Sequence, residues 1–252
     1  MNRSTMRSFL LGVLAYAGDL SCHSANAQTC GGMQDLGTLG GTTAIAADVS
    51  GDGMVVVGTS TNAANQSRAF RWTETTGFLD LGDLGGGSSF CNAVSTDGLV
   101  VVGSAPNSSG RFRACRWTAA SGVQDLGTFG GNDAEAYGVS ADGSVVVGYA
   151  AAGGFQTRAF KWTAADGLLD LGILGGSNSS AFGVSADGSV VVGFSEGVGI
   201  ETLAFRWTEA DGMQELGVLD GGRDSQAQGV SGDGHVIVGR AINGAGQIRA
   251  FR

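Results

Sequence analysis

The chain repeats itself with a period of 45 residues. An acidic residue followed by Leu-Gly occurs at Asp35, Asp80, Asp125, Asp170 and Glu215, each 45 residues after the last. A Val-Ser-x-Asp-Gly turn places its aspartate at Asp52, Asp97, Asp142, Asp187 and Asp233, so the spacing is 45 three times and then 46. Trp72, Trp117, Trp162 and Trp207 keep the same interval. A fixed period of this length restricts the fold to solenoids, propellers or arrays of one supersecondary unit.

Each period reads as four short strands. Strand a is a run of small residues entering Val-Ser, such as Ala136–Ser140. The Asp-Gly pair that follows supports a tight hairpin, since glycine accepts positive φ. Strand b is Val-Val-Val-Gly, an apolar run without alternation, as expected for a strand buried on both faces. Strand c is Ala-Phe-Arg-Trp-Thr, with Phe70 and Trp72 on one face and Arg71 on the other. A loop ending in Gly77, Gly122, Gly167 or Gly212 leads to strand d at the acidic-Leu-Gly triplet. Four antiparallel strands in this length make one β-propeller blade. The residue before Val-Ser is Ala93, Gly138, Gly183 or Gly229, with Asp48 the exception, and small residues suit the crowded strand nearest an axis. A β-helix repeats at shorter periods and needs terminal caps, which this chain lacks. The expected fold is therefore all-β: a five-bladed β-propeller of 45-residue repeats, one domain over 28–252. Glycine-rich, proline-poor composition (46 Gly and the single Pro106) agrees with short strands and tight turns.

The first strand d, Met33–Gly37, precedes any strand a, while the last repeat stops at Phe251-Arg252 before its tryptophan. A ring resolves both ends if Met33–Gly37 supplies the fourth strand of the last blade. Charge signs support it. Pairing strands c and d sets Arg71 against Asp80, Arg116 against Asp125, Lys161 against Asp170 and Arg206 against Glu215. The fifth pair is then Arg252 with Asp35, each pair being worth roughly 0.2–1 kcal/mol.

Arg3 and Arg7 precede an apolar run at Phe9–Ala17, and Ala25-Asn26-Ala27 offers small residues two apart. This is the layout of a secretory signal peptide cut after Ala27, with Ala15-Tyr16-Ala17 as the alternative, and the run is too short to span a bilayer. Removing 1–27 takes away two arginines and one aspartate, moving the formal charge from −9 to −10. Such a balance argues against nucleic acid or an anionic membrane as partner. Export leaves Cys30, Cys91 and Cys115, whose spacing fits no metal motif. Cys91 and Cys115 sit two strand spacings apart, about 9–10 Å, beyond the reach of a disulfide.

The four tryptophans recur at one position, as groups packed between blades do, and are expected in the core. The Val-Ser-x-Asp-Gly aspartates read as turn formers, because a calcium loop needs several clustered oxygens. Neither a catalytic triad nor a metal site follows from the two histidines, His23 and His235. No cofactor is implied. In an up-and-down blade the b–c and d–a connections share one face and differ most between copies, which is where recognition sits. The candidate ligand-binding residues there are Asn132, Asp133, Glu135, Arg223 and Asp224.

The combined pattern, from Leu-Gly-Gly through Gly-Val-Ser-x-Asp-Gly-Ser-Val-Val-Val-Gly to Arg-Ala-Phe-Arg-Trp-Thr and Asp-Leu-Gly, resembles the HAF family of bacterial extracellular repeat proteins. The motif covers the chain after residue 33, departing at the family's His-Ala-Phe, which becomes Arg-Ala-Phe at 68–70 and 158–160 and Leu-Ala-Phe at 203–205. The resemblance implies an exported repeat fold and carries over no catalytic residue. The expected function is a secreted or surface-exposed binding module for a carbohydrate or protein ligand, and not an enzyme. A purely structural repeat is the alternative. A glycoside hydrolase comes third, requiring two carboxylates, such as Asp133 with Glu135, converging on the loop face.

Overall fold

The computed structural model describes residues 32–199 and 201–252, so the leader expected at 1–27 and Cys30 lie outside the described residues. Leu36–Arg252 forms one compact unit. The first sheet is β1 (Gly40–Val49), β2 (Val56–Asn62), β3 (Ser67–Thr73) and β4 (Gly77–Asp80), antiparallel and in sequence order. The second is β5 (Phe90–Val94), β6 (Val101–Pro106), β7 (Phe112–Thr118) and β8 (Gly122–Asp125). The third is β9 (Ala134–Val139), β10 (Val145–Ala151), β11 (Thr157–Thr163) and β12 (Gly167–Asp170). The fourth is β13 (Ser179–Val184), β14 (Val191–Glu196), β15 (Thr202–Thr208) and β16 (Gly212–Gly217). The fifth has three strands, β17 (Ser225–Val230), β18 (Ile237–Ile242) and β19 (Ile248–Phe251). These are the strands a to d expected from the repeat, and successive strands a neighbour one another along the inner side.

The Asp-Gly hairpins owe their shape to a serine–aspartate couple. In the first, the Ser50 hydroxyl donates to Asp52 at 2.6 Å, Asp52 accepts the Met54 N–H at 2.9 Å, and Ser50 Oγ accepts the Val55 N–H at 3.0 Å. The same bonds form at Ser95–Asp97, Ser140–Asp142, Ser185–Asp187 and Ser231–Asp233. Turn chemistry thus accounts for the recurring aspartates.

Valine and glycine build each blade-to-blade junction. A Cβ on Gly98, Gly143, Gly188 or Gly234 would approach Val55, Val100, Val145 or Val190 of the preceding blade to 2.6, 2.3, 2.4 or 2.7 Å. Only glycine lets the hairpin tip close onto that valine, and its φ of +70 to +74° suits the turn as well. Val57 packs in one cluster with Trp117, Val102 with Trp162, and Val147 with Trp207. A line of backbone bonds then runs along the inner hairpins. Gly51 N–H donates to Thr96, Thr96 to Ala141, Ala141 to Ala186 and Ala186 to Gly232, at 2.9, 3.0, 3.0 and 3.0 Å. Trp117, Trp162 and Trp207 are buried between blades, as expected, while Trp72 of the first blade is half-buried.

Two expectations are corrected. Asp80 opposes Phe70, not Arg71, because Arg71 stands opposite Leu79. Opposed residues share a sheet face, so parity sends Arg71 and Asp80 to opposite sides. The ion pairs come instead from the residue two before the phenylalanine: Arg68–Asp80 at 3.0 Å, Arg113–Asp125 at 2.9 Å and Arg158–Asp170 at 3.7 Å. Arg68 also pairs with Asp83. By this register Arg249, not Arg252, holds the ion-pairing position of the fifth sheet. Arg71 and Arg116 reach the next blade, donating to the Gly98 and Gly143 carbonyls at 3.1 and 3.4 Å. Arg116 and Lys161 lie over the Trp162 and Trp207 rings at 5.8 and 5.3 Å. The second correction concerns closure. Residues 33–37 form no strand, the fifth sheet keeps three strands, and its outer face is open, with Val238 46% exposed. Within Leu36–Arg252 each sheet packs against the next in sequence order.

Two consequences can be measured. Trp162→Ala should cost about 3–5 kcal/mol in denaturant unfolding, and Trp72→Ala clearly less, since one side of Trp72 already meets solvent. Equal losses would refute the junction's role. The Ser144 N–H, followed by the Ser140 and Ser144 hydroxyls, holds the Asp142 pKa down to about 2. A depressed carboxylate adds stability that is complete above its unfolded value of about 3.9 and disappears as pH falls through the folded one. The Tm gap between wild type and Asp142→Asn should therefore be widest near neutrality and narrow below about pH 4. A gap that stays constant on acidification would rule this out.

Candidate functional site

Every strand a carries a β-bulge. Its pairing with strand b jumps from Ala46 to Asp48, Cys91 to Ala93, Ala136 to Gly138, Ala181 to Gly183 and Ala227 to Gly229. The residues skipped are Ala47, Asn92, Tyr137, Phe182 and Gln228. A bulge re-aims one side chain and bends the strand. It also explains the glycine ending each valine run. A Cβ on Gly58, Gly103, Gly148, Gly193 or Gly239 would fall 2.0 to 2.1 Å from the carbonyl oxygen of Ile45, Phe90, Glu135, Ser180 or Gln226.

On the third and fourth blades the bulges gather a row of rings. Tyr137 lies 5.9 Å from Tyr149 and 5.4 Å from Phe182, and Phe182 lies 5.6 Å from Phe194. Phe90 and Phe112 stand 6.0 Å apart on the second blade. Beside them opens a cavity of about 660 Å³, lined by Thr59, Phe90, Cys91, Asn92, Ser104, Phe112, Asp133, Glu135 and Tyr149. It faces the side of the b–c and d–a connections, the side favoured from the sequence.

Glu135 is the polar centre of this cavity. Its Oε1 accepts from Asn92 Nδ2 at 3.1 Å and its Oε2 from the Tyr137 hydroxyl at 3.1 Å. Asn92 Nδ2 also donates to the Ala136 carbonyl at 2.8 Å, tying the bulges of the second and third blades together. Burial, then the Glu135 charge and Tyr149, pushes the Tyr137 pKa well up. Tyr149 is raised for the same reason, burial first and then Glu135 and Asp133. The Cys91 thiol is buried and its pKa also lies far above the usual range, mainly through desolvation. Cys91 and Cys115 are both free, and each opposes Gly103 from its own side, so strand b separates them as expected. Desolvation, with Asp125 second, pushes Cys115 up to about 12.

The candidate residues divide accordingly. Glu135 and Asp133 line the cavity, whereas Asn132 and Arg223 are exposed outside its lining. Asp133 also acts as a latch, its Oδ1 accepting the Phe112 N–H at 3.0 Å across the blade junction. Asn178 holds Thr157, and Asp224 holds Thr202, in the same way at 2.9 Å. Asp224 is thus a framework residue of the last junction. The sequence reading missed Asn92, Phe90 and Tyr137, while Phe112 and Tyr149 stand at the edges of the variable b–c segments 104–112 and 149–157. The signal of the missed residues is variation from copy to copy at strand positions, such as Ala47, Asn92, Tyr137, Phe182 and Gln228 at the bulge. Among the described residues, no three His, Cys, Asp or Glu side chains gather as a metal site.

No family model matches the chain, and no curated protein matches its sequence. Solved structures do match its fold. TolB from Acinetobacter baumannii superposes with a TM-score of 0.57 at 16% identity, over 83% of this chain and 51% of that one. A TolB structure from Agrobacterium tumefaciens gives 0.51 at 16% identity, over 81% and 71%. Prolyl oligopeptidase B from Galerina marginata gives 0.50 at 9% identity, over 84% and 33%. The chain spans about half the length of the Acinetobacter protein. The fold is a TolB-like β-propeller fold.

Only Tyr137 and Tyr149, of three tyrosines, lie beyond residue 27. Ultraviolet pH titration of the chain lacking residues 1–27 therefore reads this site alone. Glu135→Gln should shift both phenol ionisations to lower pH, because an anionic neighbour is removed. Unchanged midpoints would show that Glu135 does not govern the site's electrostatics.

Proposed function

We propose that this protein is an exported binding module, with the cavity around Glu135 as its ligand site. The observation that carries this reading is the cavity itself, where ring faces, two carboxylates and one carboxamide converge on a uniform scaffold. Pockets that combine apolar walls with a few oriented polar groups are the usual form of a small-ligand site. Aromatic faces suit the apolar face of a sugar ring, and Glu135 with Asn92 suits its hydroxyls, so a carbohydrate is the proposed ligand class. The charged leader-like N-terminus and the motif's resemblance to the HAF repeat proteins support export. Among the described residues, no helix is long and apolar enough to cross a membrane.

Hydrolysis is less well supported. Both oxygens of Glu135 accept hydrogen bonds from the framework, and Asp133 is committed to the Phe112 N–H. These bonds hold both carboxylates in place, while each Glu135 oxygen keeps a lone pair to accept from a ligand hydroxyl.

Parallel glycan and protein arrays probed with residues 28–252 test the reading. Saturable glycan binding is expected, weakened about two- to tenfold by Tyr149→Ala or Phe112→Ala, since one well-placed aromatic contact is worth roughly 0.5–1.5 kcal/mol. Hits confined to the protein array would replace the ligand class. Silence on both would leave a purely structural repeat.

A further inference from the structure

The repeat supplies its own control for the cavity, because residues at the same register recur in the other blades. Glu135 opposes Tyr149 across strands a and b, and the matching pairs are Ile45–Thr59, Phe90–Ser104, Ser180–Phe194 and Gln226–Arg240. None of these puts a carboxylate on strand a, so the ladder does not require one. The charge of Asp133 is equally dispensable to its latch. The neutral Asn178 accepts the Thr157 N–H at 2.9 Å just as Asp133 accepts the Phe112 N–H at 3.0 Å. Phe112 itself stands where the other copies place Ser67, Thr157, Thr202 and Ile248. Two negative charges and a ring are therefore additions to the framework, and all three fall at one cavity.

The charges are also uncompensated. Asp133 and Glu135 are half-buried, and neither takes part in an ion pair among the described residues. Their donors are the Phe112 N–H, the Asn92 carboxamide and the Tyr137 hydroxyl, all neutral, and no Lys, Arg or His lines the cavity. Drawing carboxylates out of water without a countercharge is unfavourable, and a cation entering beside them relieves it. Beyond burial, the raised phenol pKa values of Tyr137 and Tyr149 register the same negative field. Phe90, Phe112 and Tyr149 line the cavity as well, and aromatic rings attract cations over their faces. A bare metal ion gains nothing from rings and calls for more clustered oxygens than these. An ammonium carried on an apolar ring uses both the carboxylates and the aromatics.

We infer that the cavity takes an amino sugar with a free, protonated amine, the amine meeting Asp133 and Glu135 and the sugar ring lying against Phe112 and Tyr149. This rests on the reading of the cavity as a carbohydrate site and names the sugar class. Acetylating the amine removes the charge, so a free glucosamine unit is bound in preference to its N-acetylated form.

Isothermal titration calorimetry on the chain lacking residues 1–27 tests this with a glucosamine trimer and its fully N-acetylated counterpart, at about pH 6, where carboxylates are ionised. The free-amine trimer should bind about tenfold more tightly or better, as expected for hydrogen bonds between charged groups. Asp133→Asn and Glu135→Gln should each lower that preference, and the double variant should abolish it. Asn at 133 keeps the latch, as Asn178 does, and circular dichroism checks the fold of each variant. If Glu135→Gln unfolds the chain, Asp133→Asn carries the test by itself. Equal affinity for the two trimers overturns the inference and leaves the carbohydrate site standing. A preference that persists in the double variant overturns it too, since the acidic surface at large then attracts the amine. Silence towards both trimers alongside saturable binding of another glycan rules out the amine alone. Silence towards every glycan removes the carbohydrate reading and this inference with it.

Discussion

The contact on which the structure rests is a valine pressed against a hairpin glycine of the next blade. It repeats at Val55–Gly98, Val100–Gly143, Val145–Gly188 and Val190–Gly234. Any side chain at the glycine would push the blades apart, and any smaller residue at the valine would leave a void in a densely packed junction. With that contact in place, the inner N–H and C=O groups line up at hydrogen-bond distance and the tryptophan finds valines on the preceding blade. The Ser-Asp couple serves the same contact by fixing the hairpin that presents the glycine.

A second constraint grows out of the first. Strand a must be narrow enough to crowd with its neighbours, yet its bulge adds one residue more than strand b can pair. That surplus residue is re-aimed, and the glycine opposite it makes room for the displaced carbonyl. The framework thereby carries one position per blade that takes no part in ladder pairing. In this chain it holds Ala47, Asn92, Tyr137, Phe182 and Gln228, so the chemistry changes from blade to blade while the backbone does not. Glu135, hydrogen-bonded to two bulge residues from adjacent blades, shows how such variation makes a site.

Several features were legible in the sequence because they are local. The strands, the hairpins, the burial of the valine runs and the separation of Cys91 from Cys115 follow from spacing and residue type. The ion pairs were legible in kind but not in partner. Opposite signs recur at fixed positions, yet a shift of one residue in strand register moves a side chain to the other face, so Arg68 rather than Arg71 meets Asp80. Asp133 and Glu135 were legible as acidic residues on a variable connection. That Phe90, Phe112 and Tyr149 are their neighbours was not, since nothing local shows that three strands from two blades converge.

By itself the sequence determined a propeller-type blade, its four strands and the residue types at each junction, because these depend on periodicity and turn chemistry within 45 residues. The tertiary structure alone decided the parity of the salt bridges and the bulges that aim side chains into the cavity. Each depends on a small geometric quantity: the register of a pair or a surplus residue. Such a quantity has no signature in composition or spacing, and it becomes decisive only when it is repeated from blade to blade.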